Sequence, residues 1–254
     1  MPILLKSPAD IERMRAASAV VADVHARLEP LIRPGVTTRE LDQVAHELIT
    51  SAGGHPSFLG YHGYPASICA SINDVVLHGI PGDVELREGD IISIDLGVKL
   101  DGFHGDAAVT YPVGRVSDIA RRLIEAAEAC FWAGFAQLRA GGRLGDASAA
   151  VQATAEAAGF AVIREYVGHG IGRQMHEDPP VPNFGLPGDG PRLRRGMTLA
   201  LEPMICAGAP ETRILDDGWT VVMADGALAA HFEHTIAILG DTVVSLTAAR
   251  ERVI

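Results

Sequence analysis

Residues 90–113 constrain the fold of this chain more than any other stretch. Two β-rich runs flank Asp101-Gly102, a dipeptide typical of a two-residue hairpin turn because both central residues of that turn need positive φ. The turn predicts that Gly97 lies opposite Asp106. Asp95 is two residues from Gly97, so we expect the Asp95 and Asp106 side chains to share one face and to lie within reach of each other.

Two carboxylates on one face of an apolar hairpin need an explanation. The strand around Asp95 consists mostly of isoleucine, leucine and valine, which predicts burial. Burying one unpaired carboxylate is costly, and burying two neighbours costs more. A cation between them would remove this cost, and an arginine, a proton or a metal ion could supply it. In the alternative interpretation, one aspartate is exposed and caps a turn. The hairpin alone favours neither.

The composition predicts a globular protein with a substantial core. Of 254 residues, 48% are hydrophobic and 21% are charged, and no apolar run approaches the length of a membrane span. The first residues lack the basic and long apolar regions of a secretory signal. A reducing cytoplasm is the expected location, because neither a disulfide framework nor a structural zinc site is indicated by the spacing of Cys69, Cys130 and Cys206.

The charge balance argues against a nucleic-acid protein. The formal net charge is −11, opposite in sign to the basic surfaces that bind DNA. The compact basic cluster of the chain is Arg192, Arg194 and Arg195. A solvated loop is the simpler interpretation of this cluster, and a contact with the ribosome is the other. We expect a monomer with no DNA partner and no membrane.

The order of elements predicts a single α+β catalytic domain, residues 1–254, built from two similar halves. Capping signals and apolar spacing predict helices that begin at Ser7-Pro8 and at Thr37, and a third over residues 118–138. Residues 138–159 resemble residues 32–53 at a constant offset of 106 positions. This weak repeat predicts halves of roughly 1–115 and 116–254 with a site at their junction. The strands expected in the second half lie near residues 160–167, 197–205, 220–223 and 231–239.

Two further carboxylates, Glu202 and Glu233, stand inside apolar strands of the second half. The lysines and arginines that could neutralise them lie mainly in predicted helices and loops. Together with the hairpin aspartates they carry four negative charges, which two divalent cations would balance. His169, in a glycine-rich run after a strand, adds a nitrogen ligand. Such ligation suits Mn, Fe, Co or Zn, and two ions about 3.5–4 Å apart would lower the pKa of a bridging water.

Seven short motifs occur in an order and spacing that together carry a family resemblance. They are Tyr61-His-Gly-Tyr-Pro65, His78-Gly-Ile-Pro81, Asp101-Gly-Phe-His-Gly-Asp106, Gly168-His-Gly-Ile-Gly172, His176-Glu-Asp-Pro179, Leu201-Glu-Pro203 and Phe232-Glu-His-Thr-Ile236. In these motifs the chain resembles the methionine aminopeptidase family over nearly its whole length, in the short bacterial type I form. The resemblance implies the "pita-bread" fold, with an antiparallel sheet covered by helices in two pseudo-symmetric halves.

The resemblance also implies a role for each candidate ligand. Asp106 and Glu233 would bridge the two ions, Asp95 would hold one of them, and His169 and Glu202 would hold the other. A bridging water or hydroxide would attack the first peptide bond, while the free α-amine of the substrate would bind the ions. Glu202, beside this water, would shuttle a proton.

The remaining site residues follow from the same resemblance. His78 and His176 would contact the scissile amide and stabilise its oxyanion. Phe58 stands where the family more often has a smaller residue, and Met175 where an aromatic residue is common, so both bear on the shape of the substrate pocket. Sulfur and aromatic groups suit a thioether, and the methionine pocket would be formed by Tyr61, Tyr64, Cys69, Met175 and Trp219.

The function implied is removal of the N-terminal methionine from nascent proteins when the second residue is small. One alternative is an X-Pro aminopeptidase of the same fold, which would usually carry an extra N-terminal domain that this chain is too short to hold. The other is a non-catalytic peptide- or ribosome-binding relative, which would lack one or more ligands, whereas all five are present.

Overall fold

The computed structural model describes residues 2–248 and Val253. Its helices are α1 (Pro8–Leu28), α2 (Thr38–Ser51), α3 (Asp118–Phe135) and α4 (Leu144–Ala157). Its strands are β1 (His55–Pro56), β2 (Cys69–Ile72), β3 (Val75–Leu77), β4 (Ile91–Leu100), β5 (Phe103–Pro112), β6 (Ala161–Val162), β7 (Gly168–Gly170), β8 (Glu177–Val181), β9 (Thr198–Leu201), β10 (Met204–Cys206), β11 (Thr212–Ile214), β12 (Val221–Met223), β13 (Ala229–His231), β14 (Glu233–Ile238) and β15 (Val243–Ser245).

The predicted helix starts are confirmed, and each rests on a reciprocal cap. Ser7 Oγ accepts the backbone N–H of Asp10, and the Thr37 hydroxyl accepts that of Glu40, both at 3.2 Å. The third helix is shorter than predicted and ends at Phe135. After it, the amides of Gln137 and Leu138 bond to carbonyls three residues back, which tightens the chain into a turn.

The central hairpin has the predicted register. Gly97 lies opposite Asp106 in the β4–β5 pair. The turn residues have positive φ, at 49° for Asp101 and 81° for Gly102, as a two-residue hairpin loop of this kind requires. Because the turn fixes the pairing, it also fixes which side chains share a face over all ten residues of each strand.

Strands of the second half are shorter and more broken than predicted. Within residues 2–248, the main sheet has nine strands in the order β1-β4-β5-β14-β9-β7-β8, with β15 on β14 and β2 on β4. The prediction of continuous strands over 197–205 and 231–239 was wrong, because the chain changes sheets within each of them. It passes from the main sheet to a smaller sheet, β13-β10-β6, at Pro203, and from that smaller sheet back to the main sheet at Phe232. The predicted strand over 160–167 is reduced to β6.

The helices cover one face of the main sheet. Helix α1 packs on β4 and β5, and α3 packs on α4, β5 and the strands of the second half. One apolar cluster joins α1 and α2 to β4, and a larger one joins α3 and α4 to β9 and β14. Equivalent ends of α2 and α4 are 106 residues apart, which agrees with the weak repeat in the sequence. Among the described helices, none is both long and apolar enough to cross a membrane.

Candidate metal centre

Three adjacent strands place three of the predicted ligands on one face. Ala108 of β5 lies opposite Asp95 of β4 on one side and opposite Glu233 of β14 on the other. Directly paired residues point to the same face of a sheet, and so do residues two apart along a strand. Asp95, Ala108 and Glu233 therefore form a row across the sheet, with Asp106 beside them.

The other two predicted ligands arrive from the next strands of the same sheet. His169 of β7 pairs with Ala200 of β9, and Glu202 follows β9 two residues later. Leu201 pairs with His234, so Glu202 emerges next to Glu233. All five side chains thus meet on the face opposite the helices.

The ligand atoms are close and enclosed. The Nε2 atom of His169 lies 3.6 Å from Glu202 Oε1 and 3.9 Å from Asp106 Oδ2. Ligand atoms of Asp106, His169 and Glu233 all lie within 4.8 Å of one another. These residues and Glu202 are buried, and Asp95 is half-buried with an enclosed Oδ1.

Burial and mutual repulsion shift the titration of the cluster. Burial raises the pKa of Asp95 to about 7, an effect that His231 opposes and the Glu202 carboxylate reinforces. Burial is the main cause that raises the pKa of Asp106 and of Glu233, and the neighbouring carboxylates raise it further. Burial also raises the pKa of Glu202. Without added positive charge the cluster would therefore retain protons at neutral pH.

The donor set fits divalent metal ions. Three buried oxygens have no hydrogen-bond partner within residues 2–248 and Val253: Oδ1 of Asp95, Oδ1 of Asp106 and Oε1 of Glu233. Within residues 2–248, Asp106 and Glu202 have imidazoles as their ion-pair partners, and none of the four carboxylates pairs with a lysine or an arginine. Burial lowers the pKa of His169 to about 3, so its ring is neutral and can offer a lone pair. Enclosed oxygens with one neutral nitrogen are the ligands of a catalytic divalent ion.

Comparison with known proteins agrees with this geometry. The model of metallopeptidase family M24 matches residues 12–239. The chain is 52% identical to the methionine aminopeptidase of Clostridium perfringens and 50% identical to methionine aminopeptidase 1 of Bacillus subtilis, in each case over 93% of this chain and 95% of the relative. The crystal structure of methionine aminopeptidase from Rickettsia prowazekii superposes with a TM-score of 0.95 at 42% identity, covering 97% of this chain and 100% of that chain. The chain belongs to the methionine aminopeptidases of family M24.

Membership of this metallopeptidase family supports the pita-bread fold and the use of divalent metal predicted from the sequence. A cavity of about 350 Å³ opens beside the acids of the metallopeptidase centre. The residues predicted for substrate binding all line this cavity, together with Phe58: Tyr61, Tyr64, Cys69, His78, Met175, His176 and Trp219. Their individual roles remain predictions.

The two histidines predicted to bind the amide lie on different walls of the cavity. His176 Nδ1 is 2.8 Å from the Tyr61 hydroxyl, and its ring centroid is 4.2 Å from that of His169. The His78 ring meets the edge of Trp219 at 6.0 Å. Burial lowers the pKa of His78 to about 4 and also lowers that of His176, so both rings are neutral at pH 7.

Two features near the centre were not predicted from the sequence. His231 is buried, and its Nε2 lies 3.5 Å from Glu202 Oε2. Its position two residues before Glu233 is a weak signal, because the chain changes sheets between the two residues at Phe232. Glu177, next to His176, forms a buried ion pair with Lys6. No local signal links those two residues, because 171 positions separate them.

Proposed function

We propose that this protein hydrolyses the first peptide bond of nascent polypeptides and releases the N-terminal methionine when the second residue is small. The observation that carries the proposal is the convergence of three buried carboxylates, the half-buried Asp95 and a neutral imidazole beside a cavity lined by sulfur and aromatic groups. The carboxylates and the imidazole are suited to metal-assisted hydrolysis, and the cavity lining is suited to an unbranched thioether side chain.

Two divalent ions, drawn from Mn, Fe, Co or Zn, would be held by Asp95, Asp106, His169, Glu202 and Glu233. When bound, they would supply a nucleophilic water at neutral pH and polarise the carbonyl oxygen. Two ions rather than one are favoured by charge, since the four carboxylates together carry four negative charges and the side chains around them offer no lysine or arginine within residues 2–248.

His176 and His78 would orient the scissile amide and stabilise the oxyanion. If the Tyr61 hydroxyl donates to His176 Nδ1, the proton of the neutral ring is on Nε2, which is then a donor for the carbonyl oxygen. The stacking of Tyr61 on His176, with ring centroids 5.2 Å apart, fixes the ring plane as well. Tyr61 is therefore a positioning residue for His176.

Glu202 would move the proton. Its carboxylate, beside the attacking water, would accept a proton from that water as the water oxygen bonds to the carbonyl carbon. The same proton then passes to the amide nitrogen as the C–N bond breaks, which returns Glu202 to its starting state.

The side chain of methionine would lie against the wall that contains Cys69 and Met175. Tyr64 stands edge-on to Trp219 with centroids 5.1 Å apart, and its hydroxyl shares its one proton between two acceptors, the carbonyls of Ile68 and Gly79. These bonds hold the aromatic wall in place without using the groups that face the substrate. A rigid wall of this kind favours one side-chain shape over others.

A peptide-release assay tests the proposal. Purified protein would be stripped of metal and supplied with Mn, Fe, Co or Zn ions, using Met-Ala, Met-Gly, Met-Leu and Ala-Pro peptides. We expect release of methionine from the first two, dependence on added ion, and little release from Met-Leu. Cleavage of Ala-Pro but not Met-Ala would replace this proposal with the X-Pro alternative. Absence of any cleavage with ions bound would favour the non-catalytic alternative.

The proposed setting is the cytoplasm, where a monomer would meet nascent chains at the ribosome. Arg192, Arg194 and Arg195 are exposed, and this supports a contact with ribosomal RNA. Cosedimentation with ribosomes at two salt concentrations checks this contact. Charge reversal of all three arginines should abolish cosedimentation, and unchanged binding would leave the cluster as a solvated loop.

A further inference from the structure

His231 is held in a fixed position beside the metal centre. It is the last residue of β13 and pairs with Met204 of β10. Its backbone N–H donates to Thr110 Oγ1 at 2.9 Å, and its carbonyl accepts the Thr110 hydroxyl at 2.8 Å. The residue is 1% exposed. The imidazole therefore approaches the acids from the smaller sheet, on a backbone anchored to the central hairpin.

The Nε2 atom of His231 is buried and has no hydrogen-bond partner among the residues that the structure describes. The nearest carboxylate oxygen recorded for it is Glu202 Oε2 at 3.5 Å, which is long for a charge-assisted hydrogen bond. A buried, unsatisfied ring nitrogen in a native site needs an explanation.

The separation matches that of two ligands on a common ion. His169 and Glu202, both predicted ligands, have donor atoms 3.6 Å apart. Metal–ligand bonds of about 2.0–2.2 Å in tetrahedral geometry place two donor atoms roughly 3.4 Å apart. The 3.5 Å between His231 and Glu202 falls in the same range. Each oxygen of Glu202 thus faces one imidazole, His169 at Oε1 and His231 at Oε2.

The ligand atoms of Glu202, His231 and Glu233 lie within 4.8 Å of one another, as do those of Asp106, His169 and Glu233. We propose that His231 is a sixth ligand of the metal centre, with Nε2 binding one ion together with Glu202 and Glu233. The inference rests on the metal centre of the proposed function. It adds a second imidazole to the five-residue set and makes the donor set richer in nitrogen.

Nitrogen NMR of the intact protein tests the inference directly. Protein labelled with ¹⁵N in its histidine rings would be stripped of metal and titrated with Zn²⁺, with His169 and His231 assigned from their Gln variants. We expect two ring nitrogens to shift to metal-bound values, one from each residue. A shift of His169 alone would overturn the inference while keeping the metal centre. A shift of neither would overturn the metal centre itself.

Calorimetry with Zn²⁺ adds a second readout that does not depend on turnover. His231→Gln should weaken the binding of one ion by at least about 10-fold. Loss of a residue that only hydrogen-bonds to a metal ligand already costs this much, and loss of a ligand should cost more. His46→Gln is the matched control, because His46 lies on α2 and bonds to Ser67, away from the acids. Equal affinities for the parent protein, His231→Gln and His46→Gln would contradict the assignment. The NMR titration of the parent protein remains decisive if His231→Gln does not fold.

Discussion

The two halves of the molecule supply the predicted metal ligands to one centre by different routes. In the first half, a single hairpin of two ten-residue strands carries Asp95 and Asp106, and one two-residue turn sets their register. The second half supplies its residues from three short strands: His169 lies in β7, Glu202 directly follows β9, and Glu233 begins β14. Next to Glu202 and Glu233 the chain changes from one sheet to the other. Local turn chemistry determines the first arrangement, whereas long-range pairing determines the second. We therefore expect substitutions outside the hairpin to have little effect on Asp95 and Asp106. The site residues of the second half should instead depend on contacts with residues that are distant in the sequence.

The largest effect is expected from Asp106→Ala, which removes the hairpin ligand predicted to bridge both ions. Loss of one oxyanion donor lowers kcat by about 100- to 1000-fold in other hydrolases, and loss of a bridging ligand should exceed this. We expect no measurable release of methionine from Met-Ala peptides at saturating Mn²⁺ or Co²⁺.

Glu233→Ala is the matched variant from the other half, and the same loss is expected for it. Circular dichroism would establish that both variants fold. The bridging role would be refuted if Asp106→Ala turned over peptide within about 10-fold of the parent rate, because that loss is smaller than the loss caused by removing a single oxyanion donor.

The next effect tests the distant support of the second half. Lys6 and Glu177 form an ion pair with side chains 5% and 4% exposed, and Glu177 Oε1 also accepts the N–H groups of Arg173 and Gln174. A Cβ on Gly172 would lie 2.3 Å from Lys6 Cε, so the glycine leaves room for the lysine. Lys6→Met strands a buried carboxylate and should cost about 3–5 kcal/mol in the free energy of unfolding, measured in urea.

Arg39→Met is the control for that measurement. Arg39 and Asp83 form a solvent-exposed ion pair, so its loss should leave the free energy of unfolding almost unchanged. Lys6→Met should also slow peptide release, because the turn that Glu177 closes carries His176. If the double variant Lys6→Met/Glu177→Gln regains stability, the stranded charge is the cause of the loss. Equal losses of stability in Lys6→Met and Arg39→Met would contradict this explanation.

A smaller effect is expected at Ala108, the residue between Asp95 and Glu233. Two added methyl groups in Ala108→Val would intrude between the carboxylates, and we expect metal affinity to fall by about 10- to 100-fold in calorimetric titrations. Ala107→Val is the matched control on the opposite face, where Ala107 packs in the apolar cluster of α1 and α2. It should cost about 1–3 kcal/mol of stability by overpacking and leave metal affinity unchanged. The reverse pattern would mean that the faces of β5 are misassigned.

The same contrast explains how much of the molecule was predictable. The Asp101-Gly102 turn and the caps at Ser7 and Thr37 depend on a few adjacent residues, so their geometry follows from local chemistry. The four carboxylates could be predicted to cluster because isolated acids in apolar strands are costly, and their role as metal ligands stays a prediction. The break after Glu202 was not predicted, since the alternation of a strand does not show which neighbour it pairs with. The same reason explains why His231 was missed.

The smallest expected effect is a pH dependence on the helix side of the hairpin. His25 of α1 is buried, with Nε2 donating to the Ala107 carbonyl at 3.0 Å and Nδ1 3.0 Å from the Tyr111 hydroxyl. Burial lowers the pKa of His25 to about 4, and the bond to Ala107 opposes this only in part. In the unfolded chain the pKa returns to about 6.5, so the unfolded state binds the proton first. Stability is therefore full above pH 6.5 and is lost as the pH falls towards 4.

Comparison of His25→Gln with the parent protein isolates this dependence. Between pH 7.5 and 5.5, the parent should lose about 1 kcal/mol more of its free energy of unfolding than His25→Gln loses, measured by urea unfolding at each pH. Tyr111→Phe should keep the dependence of the parent, because burial and not the Tyr111 hydroxyl is the main cause of the shift. Parallel curves for the parent and His25→Gln would mean that the imidazole is solvated. The hairpin would then be supported from α1 by packing alone.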